Sequence, residues 1–173
     1  FLSKLFPGVR DYHRRQEEQV LTYGYVDNAV GQRRRLPLPP EPERSDKMAY
    51  KIYMRFKAHV INQAINYPIQ SLASYVTGSA LIDLERAFLT QFKMSYLEFQ
   101  QRIMAKKWPK MPLILLEVHD DLVLDIPKGM DRKTKEVTND IMCSVPSLRK
   151  LLPAFDTPLS IDTNMGATWG LKS

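Results

Sequence analysis

Residues 113–126 read Leu-Ile-Leu-Leu-Glu-Val-His-Asp-Asp-Leu-Val-Leu-Asp-Ile, and this stretch decides the fold of the chain. Two runs rich in Leu, Val and Ile flank a polar tip; such runs are typical of strands, and we expect one strand to be buried on both faces. Two-residue hairpin turns usually contain Asn-Gly or Asp-Gly, because φ is positive at their central positions. A turn formed by His119, Asp120 and Asp121 therefore has a conformational cost, which predicts that these residues serve a chemical function. Adjacent carboxylates there suit a hard cation such as Mg²⁺.

The composition fits one domain or part of a larger one, with 173 residues of which 44% are hydrophobic and 25% are charged. The formal net charge of +6 is compatible with nucleic acid, an anionic membrane surface or an acidic partner. Cys143 is the single cysteine, which excludes an intrachain disulfide and a thiolate metal cluster. We find no apolar run of membrane-spanning length and no signal-peptide pattern, and we expect no membrane partner. Because the chain begins at Phe1 rather than Met, we expect it to be a piece of a longer protein.

The first part of the chain predicts a helix followed by a hairpin. The helix covers about residues 9–23 and ends at Gly24, a residue typical of helix C-termini. The hairpin covers residues 25–37, with its turn around residues 28–31. One arm carries three consecutive arginines, which suit phosphate binding as well as a charged edge strand that resists aggregation: Arg33, Arg34 and Arg35.

The middle of the chain predicts three helices. The first covers about residues 47–63, and Pro68 is expected to break the chain there and start a second helix at about residues 69–92. The second helix begins without charged residues, which is typical of a buried helix. Ser95 and Glu98 form a capping-box pattern that predicts a third helix to about residue 107.

After the central hairpin we expect a helix over residues 131–143, a short helix within residues 145–153 and a last strand over residues 158–163. The order of elements predicts the α+β class, mainly helical, with a small antiparallel sheet backed by helices. Three strands make a marginal sheet, so strands outside this chain are expected to complete it.

A purely structural explanation of the hairpin tip is an exposed acidic turn. The apolar strands beside the tip and the lack of residues that favour a tight turn indicate a functional site instead. Mg²⁺ is usually held by one or two carboxylates together with water and substrate phosphates. A two-metal phosphoryl-transfer site needs a further carboxylate from another strand. Within the chain, Asp125 and Asp162 are candidates, and no motif surrounds either of them.

Two segments together resemble family A DNA polymerases. Residues 62–74 read Asn-Gln-Ala-Ile-Asn-Tyr-Pro-Ile-Gln-Ser-Leu-Ala-Ser, and residues 117–123 read Glu-Val-His-Asp-Asp-Leu-Val. In that family an Ala-Ile-Asn-x-Pro-x-Gln-Gly helix precedes a Gln-Val-His-Asp-Glu hairpin of the palm. Phe-Pro-Gly-Val at 6–9, the Gly-Gln-Arg-Arg of the first hairpin at 31–34 and Asn-Met-Gly-x-x-Trp at 164–169 resemble the family in the same order. The resemblance therefore spans nearly the whole chain.

The resemblance implies roles at the central hairpin. Asp120 matches the palm carboxylate that binds two catalytic Mg²⁺ ions. Asp121 stands where the family usually has the longer Glu, and it is expected to act without binding the metal directly. His119 matches the residue that contacts the backbone at the primer terminus. The three residues are thus the expected catalytic set, with Asp120 as the metal ligand.

The resemblance also implies DNA contacts. Asn66, Tyr67 and Gln70 match the helix that reads the minor groove of the primer–template. Ser71 replaces a usual Gly and Glu117 a usual Gln, so the grip on DNA is expected to differ from the family pattern. Phosphate contacts are expected from five basic residues: Arg33, Arg34, Arg35, Arg55 and Lys57.

By the same resemblance, residues 1–68 form the end of the fingers and residues 69–173 the catalytic half of the palm. The expected activity is addition of dNTPs to a primer 3′ end by two-metal phosphoryl transfer. The family's other metal-binding Asp and its nucleotide-binding Lys would precede Phe1, so the N-terminal part of the polymerase is an expected partner, attached or separate. Primer–template DNA and dNTP are the others. The expected location is the DNA-replication compartment of a bacterium, a phage-infected cell or an organelle.

Two alternatives stay open from the sequence. A palm-type RNA polymerase or reverse transcriptase would share an x-Asp-Asp hairpin, but the helix that precedes the hairpin does not fit reverse transcriptases. A non-catalytic DNA-binding or assembly subunit would keep the basic, helical character and use the acidic hairpin as a scaffold. Metal binding at Asp120 discriminates the second alternative from a polymerase.

Overall fold

The computed structural model describes residues 6–119 and 121–168. These residues form helices and short strands that divide between two compact units, Phe1–Ala73 and Ser74–Ser173. No described helix is both long enough and apolar enough to cross a membrane. In chain order the elements are α1 (Pro7–Tyr23), β1 (Tyr25–Asp27), β2 (Arg33–Arg35), α2 (Lys47–Gln91), α3 (Tyr96–Met104), β3 (Leu113–Val118), β4 (Asp121–Asp125), α4 (Asp131–Ser144) and α5 (Pro146–Leu151).

The first unit packs α1 and the first hairpin against the first half of α2. Gly24 ends α1 with φ of +71°, and its N–H donates to the carbonyl of Val20 at 2.9 Å, as the sequence predicts. Strands β1 and β2 pair antiparallel, which confirms the first hairpin. The hydrophobic core of this unit is built from the buried side chains of Val20, Val26, Leu36, Val60 and Ala64.

Helix α2 is continuous through Pro68, so the predicted break at this residue is wrong. A proline inside a helix lacks one N–H donor and costs about 3 kcal/mol or more. The penalty is offset because Pro68 is buried and the helix packs into a core on that side. Just before the proline, the Tyr12 hydroxyl donates to the carbonyl of Ile65 at 2.6 Å, and burial raises the pKa of Tyr12. Packing has therefore overridden a local rule.

The boundary between the two compact units lies within α2, between Ala73 and Ser74, and Pro68 lies in the first unit. The assignment of residues 1–68 to fingers and residues 69–173 to palm stays a prediction.

The second unit has its own core, built from the end of α2, the central hairpin and α4. Helix α3 begins at Ser95, whose Oγ accepts from the N–H of Glu98 at 3.1 Å, which confirms the capping box. Helices α4 and α5 lie where the sequence predicts them. The fully and largely buried side chains are Leu84, Phe88, Leu89, Met111 and Leu113.

The predicted last strand over residues 158–163 is wrong, because these residues join no ladder in the part of the chain that the structure describes. The Thr163 hydroxyl instead donates a hydrogen bond to the Oδ1 of Asn139 on α4 at 2.9 Å. The strands form two separate two-stranded sheets, β1–β2 and β3–β4. Together with the helices, these sheets confirm the α+β class.

Candidate active site

The central hairpin has the tight turn that the sequence predicts. Val118 pairs with Asp121 across antiparallel strands, so only His119 and Asp120 lie between the paired residues. His119 has φ of +61°, a left-handed conformation that costs non-glycine residues about 1–2 kcal/mol. The predicted conformational cost of the turn is confirmed at His119. Asp120 itself lies outside the described residues.

A β-bulge interrupts the ladder three residues before the turn of the central hairpin. Ile114 pairs with Leu124 and Leu116 pairs with Val123, so Leu115 has no partner in the register. A bulge bends its strand and is common beside active sites. The sequence does not indicate this irregularity, because positions 115 and 116 are both leucine.

The two faces of the central hairpin differ in burial. Ile114, Leu122 and Leu124 share one face and pack against the core of the second unit. On β3, Leu115 is 54% exposed and Val118 is also exposed. The expectation that a strand is buried on both faces is therefore wrong, because no described element covers the outer face of β3. Apolar side chains in such a row are typical of a surface that another element covers.

Two described carboxylates, Glu117 and Asp121, lie near the tip, and the register places them on opposite faces of the hairpin. Asp121 and Glu117 are exposed, and no described Lys or Arg lies within ion-pair distance of either. Free carboxylates of this kind fit Mg²⁺. Asp125 pairs with Leu113 at the far end of the hairpin, roughly 13 Å along the strand from Asp121. Asp125 is thus too distant to share a metal ion with the tip.

No group of three His, Cys, Asp or Glu residues within residues 6–119 and 121–168 is arranged to hold a metal ion. Asp162 therefore belongs to no described cluster, and it lies in the irregular segment after α5. The chemistry of the donors fits Mg²⁺, and a complete site would need further oxygen ligands.

The predicted minor-groove residues lie on α2 in the first unit. Asn66 and Gln70 are exposed and four residues apart, so they share one face of the helix. Tyr67 packs against the first core, and the Arg34 guanidinium lies 5.6 Å from its ring centroid. The Arg34 Nη2 also donates to the Gln63 Oε1 at 3.5 Å. The structure thus brings one predicted phosphate contact next to the predicted groove-reading residues.

The three arginines of β2 differ in how freely they can reach a ligand. Arg33 donates to both carboxylate oxygens of Asp27, at 2.8 and 3.1 Å, and its guanidinium stacks on the Tyr25 ring at 3.6 Å. The hydrogen bond from Arg33 lowers the pKa of Asp27. Arg35 is exposed, and its guanidinium forms no ion pair with a described side chain. Arg34 and Arg35 are therefore better placed for phosphate than Arg33.

The remaining predicted phosphate contacts lie earlier on α2. Arg55 is exposed and Lys57 is half-buried, and neither forms an ion pair with an acidic residue that the structure describes. Residues two apart on a helix point in different directions. No described hydrogen bond joins either residue to Asn66 or Gln70.

Sequence reasoning missed the hydrogen-bond network of Asn28. Its Oδ1 accepts from the N–H groups of Val30 and Gln32 at 3.1 and 2.9 Å. Its Nδ2 donates to the Gln32 Oε1 and to the Ser71 Oγ, both at 3.0 Å. The available signal was an Asn three residues before Gly31, a spacing typical of turns in which Asn bonds the backbone. Ser71, the residue that departs from the family pattern, thus ties the turn to α2.

A sequence profile of DNA polymerase family A matches residues 2–171 of the chain. DNA polymerase I from Bacillus caldotenax is 27% identical over 164 residues, and DNA polymerase I from Streptococcus pneumoniae is 29% identical over 167 residues. Each alignment covers 95% of this chain and 15% of the relative. The chain therefore spans a small part of the length of these relatives.

A solved structure is similar in fold: the POL domain of Pol1 from M. smegmatis in complex with a DNA primer-template and dNTP. The TM-score is 0.53 at 25% sequence identity, and the match covers 83% of this chain and 20% of the other. Fold similarity and sequence similarity thus lead to the same family.

Proposed function

The chain belongs to DNA polymerase family A, and we propose that it forms the C-terminal part of a polymerase domain that adds dNTPs to a primer 3′ end. The observation that carries the proposal is the central hairpin: a left-handed His119 at a two-residue turn, in a chain that the family profile matches almost end to end. Strained backbone positions of this kind cluster at active sites and ligand-binding sites. The relative of known structure was solved with primer-template and dNTP, which supports the same substrates here.

The hairpin tip supplies the groups for phosphoryl transfer in this proposal. Asp120 and a carboxylate outside this chain would hold Mg²⁺, and two such ions, when bound, stabilise the attacking and leaving oxygens. Asp121 would stand beside the metal ligand and add negative charge without binding the metal. His119 would contact the primer backbone, and its fixed φ would hold the imidazole in one orientation. Catalysis would then depend on positioning and charge neutralisation.

The active site would be complete only with the N-terminal part of the polymerase, attached or separate. The exposed outer face of β3 supports this proposal, because Leu115 and Val118 form an apolar surface that a packed layer from the rest of the polymerase would bury. Residues 1–68 would form the end of the fingers, and residues 69–173 would form the catalytic half of the palm with its hairpin. Such an enzyme would work in the DNA-replication compartment of a bacterium, a phage-infected cell or an organelle.

Primer–template DNA would contact the first unit in this proposal. Asn66, Tyr67 and Gln70 would read the minor groove, and Arg34 and Arg35 would bind phosphates beside them. Arg55 and Lys57 would extend the phosphate contacts along α2. Arg33 would contribute less, because Asp27 already occupies its guanidinium. Binding through several phosphates would weaken steeply as the salt concentration rises.

The test is Asp120→Asn in the enzyme reconstituted with its N-terminal part, measured by single-turnover primer extension. We expect the rate to fall about a hundredfold or more, while the affinity for primer–template changes little, because the substitution removes a charge and keeps the shape. The matched control is Asp140→Asn on α4, an exposed carboxylate away from the hairpin. It should leave the rate unchanged.

Extension by Asp120→Asn at the rate of the unmodified enzyme would overturn the assignment of Asp120. A second arm uses the chain alone with Mg²⁺, dNTPs and primer–template, where we expect no extension. Clear extension in that arm would overturn the need for the N-terminal part.

A further inference from the structure

The connection between α3 and β3 presents an exposed aromatic residue among lysines. We define the Trp108 loop as residues 106–110, which read Lys-Lys-Trp-Pro-Lys. The Trp108 side chain is 64% exposed, and all three lysines of the loop are exposed as well. One exposed aromatic residue needs no explanation by itself, so the distinguishing feature of this loop is an exposed indole with three exposed lysines beside it.

The backbone of the loop is fixed at its start by a helix-capping motif. Lys106 has φ of +55°, and its N–H donates to the carbonyl of Ile103 at 3.0 Å. The N–H of Lys107 donates to the carbonyl of Arg102 at 2.9 Å. This pair of bonds is the Schellman motif, which normally uses glycine at the left-handed position. Lysine at that position costs stability.

The end of the loop is fixed by burial. Pro109 is buried, Met111 is 3% exposed within the core of the second unit, and the Met111 N–H donates to the Pro109 carbonyl at 3.0 Å. Trp108 therefore lies between a capped helix end and a buried proline. The fixed backbone on both sides therefore leaves Trp108 exposed, and Lys110, which follows the buried Pro109, is exposed as well.

The charge of the loop is not neutralised within the described structure. Lys106, Lys107 and Lys110 form no ion pair with any acidic residue in the parts of the chain that the structure describes. Lysine is depleted in protein–protein interfaces, whereas lysine beside an exposed aromatic residue is the usual composition of a single-strand binding surface. A polyanion with flat bases matches both features.

We propose that the Trp108 loop binds single-stranded DNA, with the indole stacked on a base and the lysines on flanking phosphates. This site is separate from the hairpin tip, and its DNA would be an unpaired stretch near the primer–template, so the source of the strand rests on the proposed function. The binding itself requires neither metal nor dNTP.

The experiment measures fluorescence anisotropy of a labelled oligo-dT with the protein at its native full length, without divalent metal. We expect Trp108→Ala to weaken binding about tenfold, the effect of losing one stacked base, and Trp108→Phe to keep most of the affinity. The double substitution Lys107→Gln with Lys110→Gln should lower the slope of log affinity against log salt by about 1.4, or about 0.7 for each phosphate contact.

Two matched controls separate the loop from general charge and from backbone effects. Lys133→Gln with Lys135→Gln removes two exposed lysines of α4 and should keep the salt slope. Lys106→Gly and Lys93→Gly both relieve a left-handed lysine at a helix end, and only Lys106→Gly should weaken binding.

Oligo-dT affinity that is unchanged by Trp108→Ala would overturn the proposal, as would equal losses from the loop lysines and from the α4 lysines. Unchanged affinity together with loss of the assembled polymerase would identify the loop as a protein contact instead. The outcomes separate from those of the proposed function. If the enzyme extends primers and Trp108→Ala leaves its oligo-dT affinity unchanged, only this inference is overturned. If Trp108→Ala weakens oligo-dT binding but the enzyme does not extend primers, only the polymerase proposal is overturned.

Discussion

The two hairpins have the same topology and differ in what supports them. In the first hairpin, Val26 is fully buried, and Asn28 bonds both the turn and α2. In the central hairpin, the inner face is packed, but Leu115 and Val118 on the outer face are exposed. The turns differ as well: Gly31 adopts positive φ without cost in one, whereas His119 does so at a cost in the other.

The difference shows that the first hairpin is stabilised within its own unit, whereas the central hairpin is only half supported. A strand pair packed on one face gains about half of the burial energy available to it. The first hairpin is thus bonded to α2 within its own unit, whereas no described element covers the outer face of the central hairpin. Three substitutions test this contrast, in order of decreasing effect.

The largest effect is expected from Phe88→Ala. Phe88 is 2% exposed in the core beneath the central hairpin, and deletion of a buried Phe side chain costs about 3–5 kcal/mol of unfolding free energy. The two cores share no side chain, so amide hydrogen exchange should accelerate in β3 and β4 while β1 and β2 keep their protection. Phe56→Ala, at an exposed position on α2, is the control and should cost far less. Equal loss of protection in both hairpins would contradict the separation of the cores.

A smaller effect is expected from Asn28→Ala in the first hairpin. The substitution leaves the N–H groups of Val30 and Gln32 without their side-chain acceptor, and we expect a loss of about 2 kcal/mol by denaturant unfolding. Asn28→Asp keeps the acceptor and loses the two bonds that the amide nitrogen donates, to the Gln32 Oε1 and the Ser71 Oγ, so it should retain part of the stability. The hairpin is not held by this network if both variants unfold at the same denaturant concentration as the unmodified protein.

The smallest effect, and the opposite sign, is expected from His119→Gly. Glycine adopts positive φ freely, so the central hairpin should gain up to about 1 kcal/mol of local stability by hydrogen exchange. Primer extension should fall at the same time, because the imidazole is lost. Val30→Gly in the first turn is the counterpart and should lose stability, since the φ of Val30 is not positive. A less stable hairpin in His119→Gly would show that the turn is not strained.

Signals that act over a few residues predicted the structure well. Gly24 and Ser95 mark helix ends through bonds that their own neighbours complete, and both are confirmed. The positive φ of His119 followed from a turn without Gly or Asn.

The failures have non-local causes. Pro68 is a helix breaker by local rule, but its own burial and the packing of the preceding turns keep α2 continuous. Residues 158–163 alternate like a strand, yet a strand exists only when another strand pairs with it. The bulge at Leu115 depends on the register between two strands, which the sequence of one strand does not encode. Of the candidate site, residue types and the strained turn were predictable, whereas the occupation of Arg33 and the role of Asn28 required the fold.

The open edge of β3 has a consequence for the life of the protein in the cell. Among the described residues β3 pairs only with β4, so its other edge presents unpaired N–H and C=O groups beside exposed leucines. Such an edge templates pairing with any extended chain, including another copy of itself. A molecule that leaves this edge unpaired is therefore prone to aggregation, and a strand added at the edge would remove that tendency.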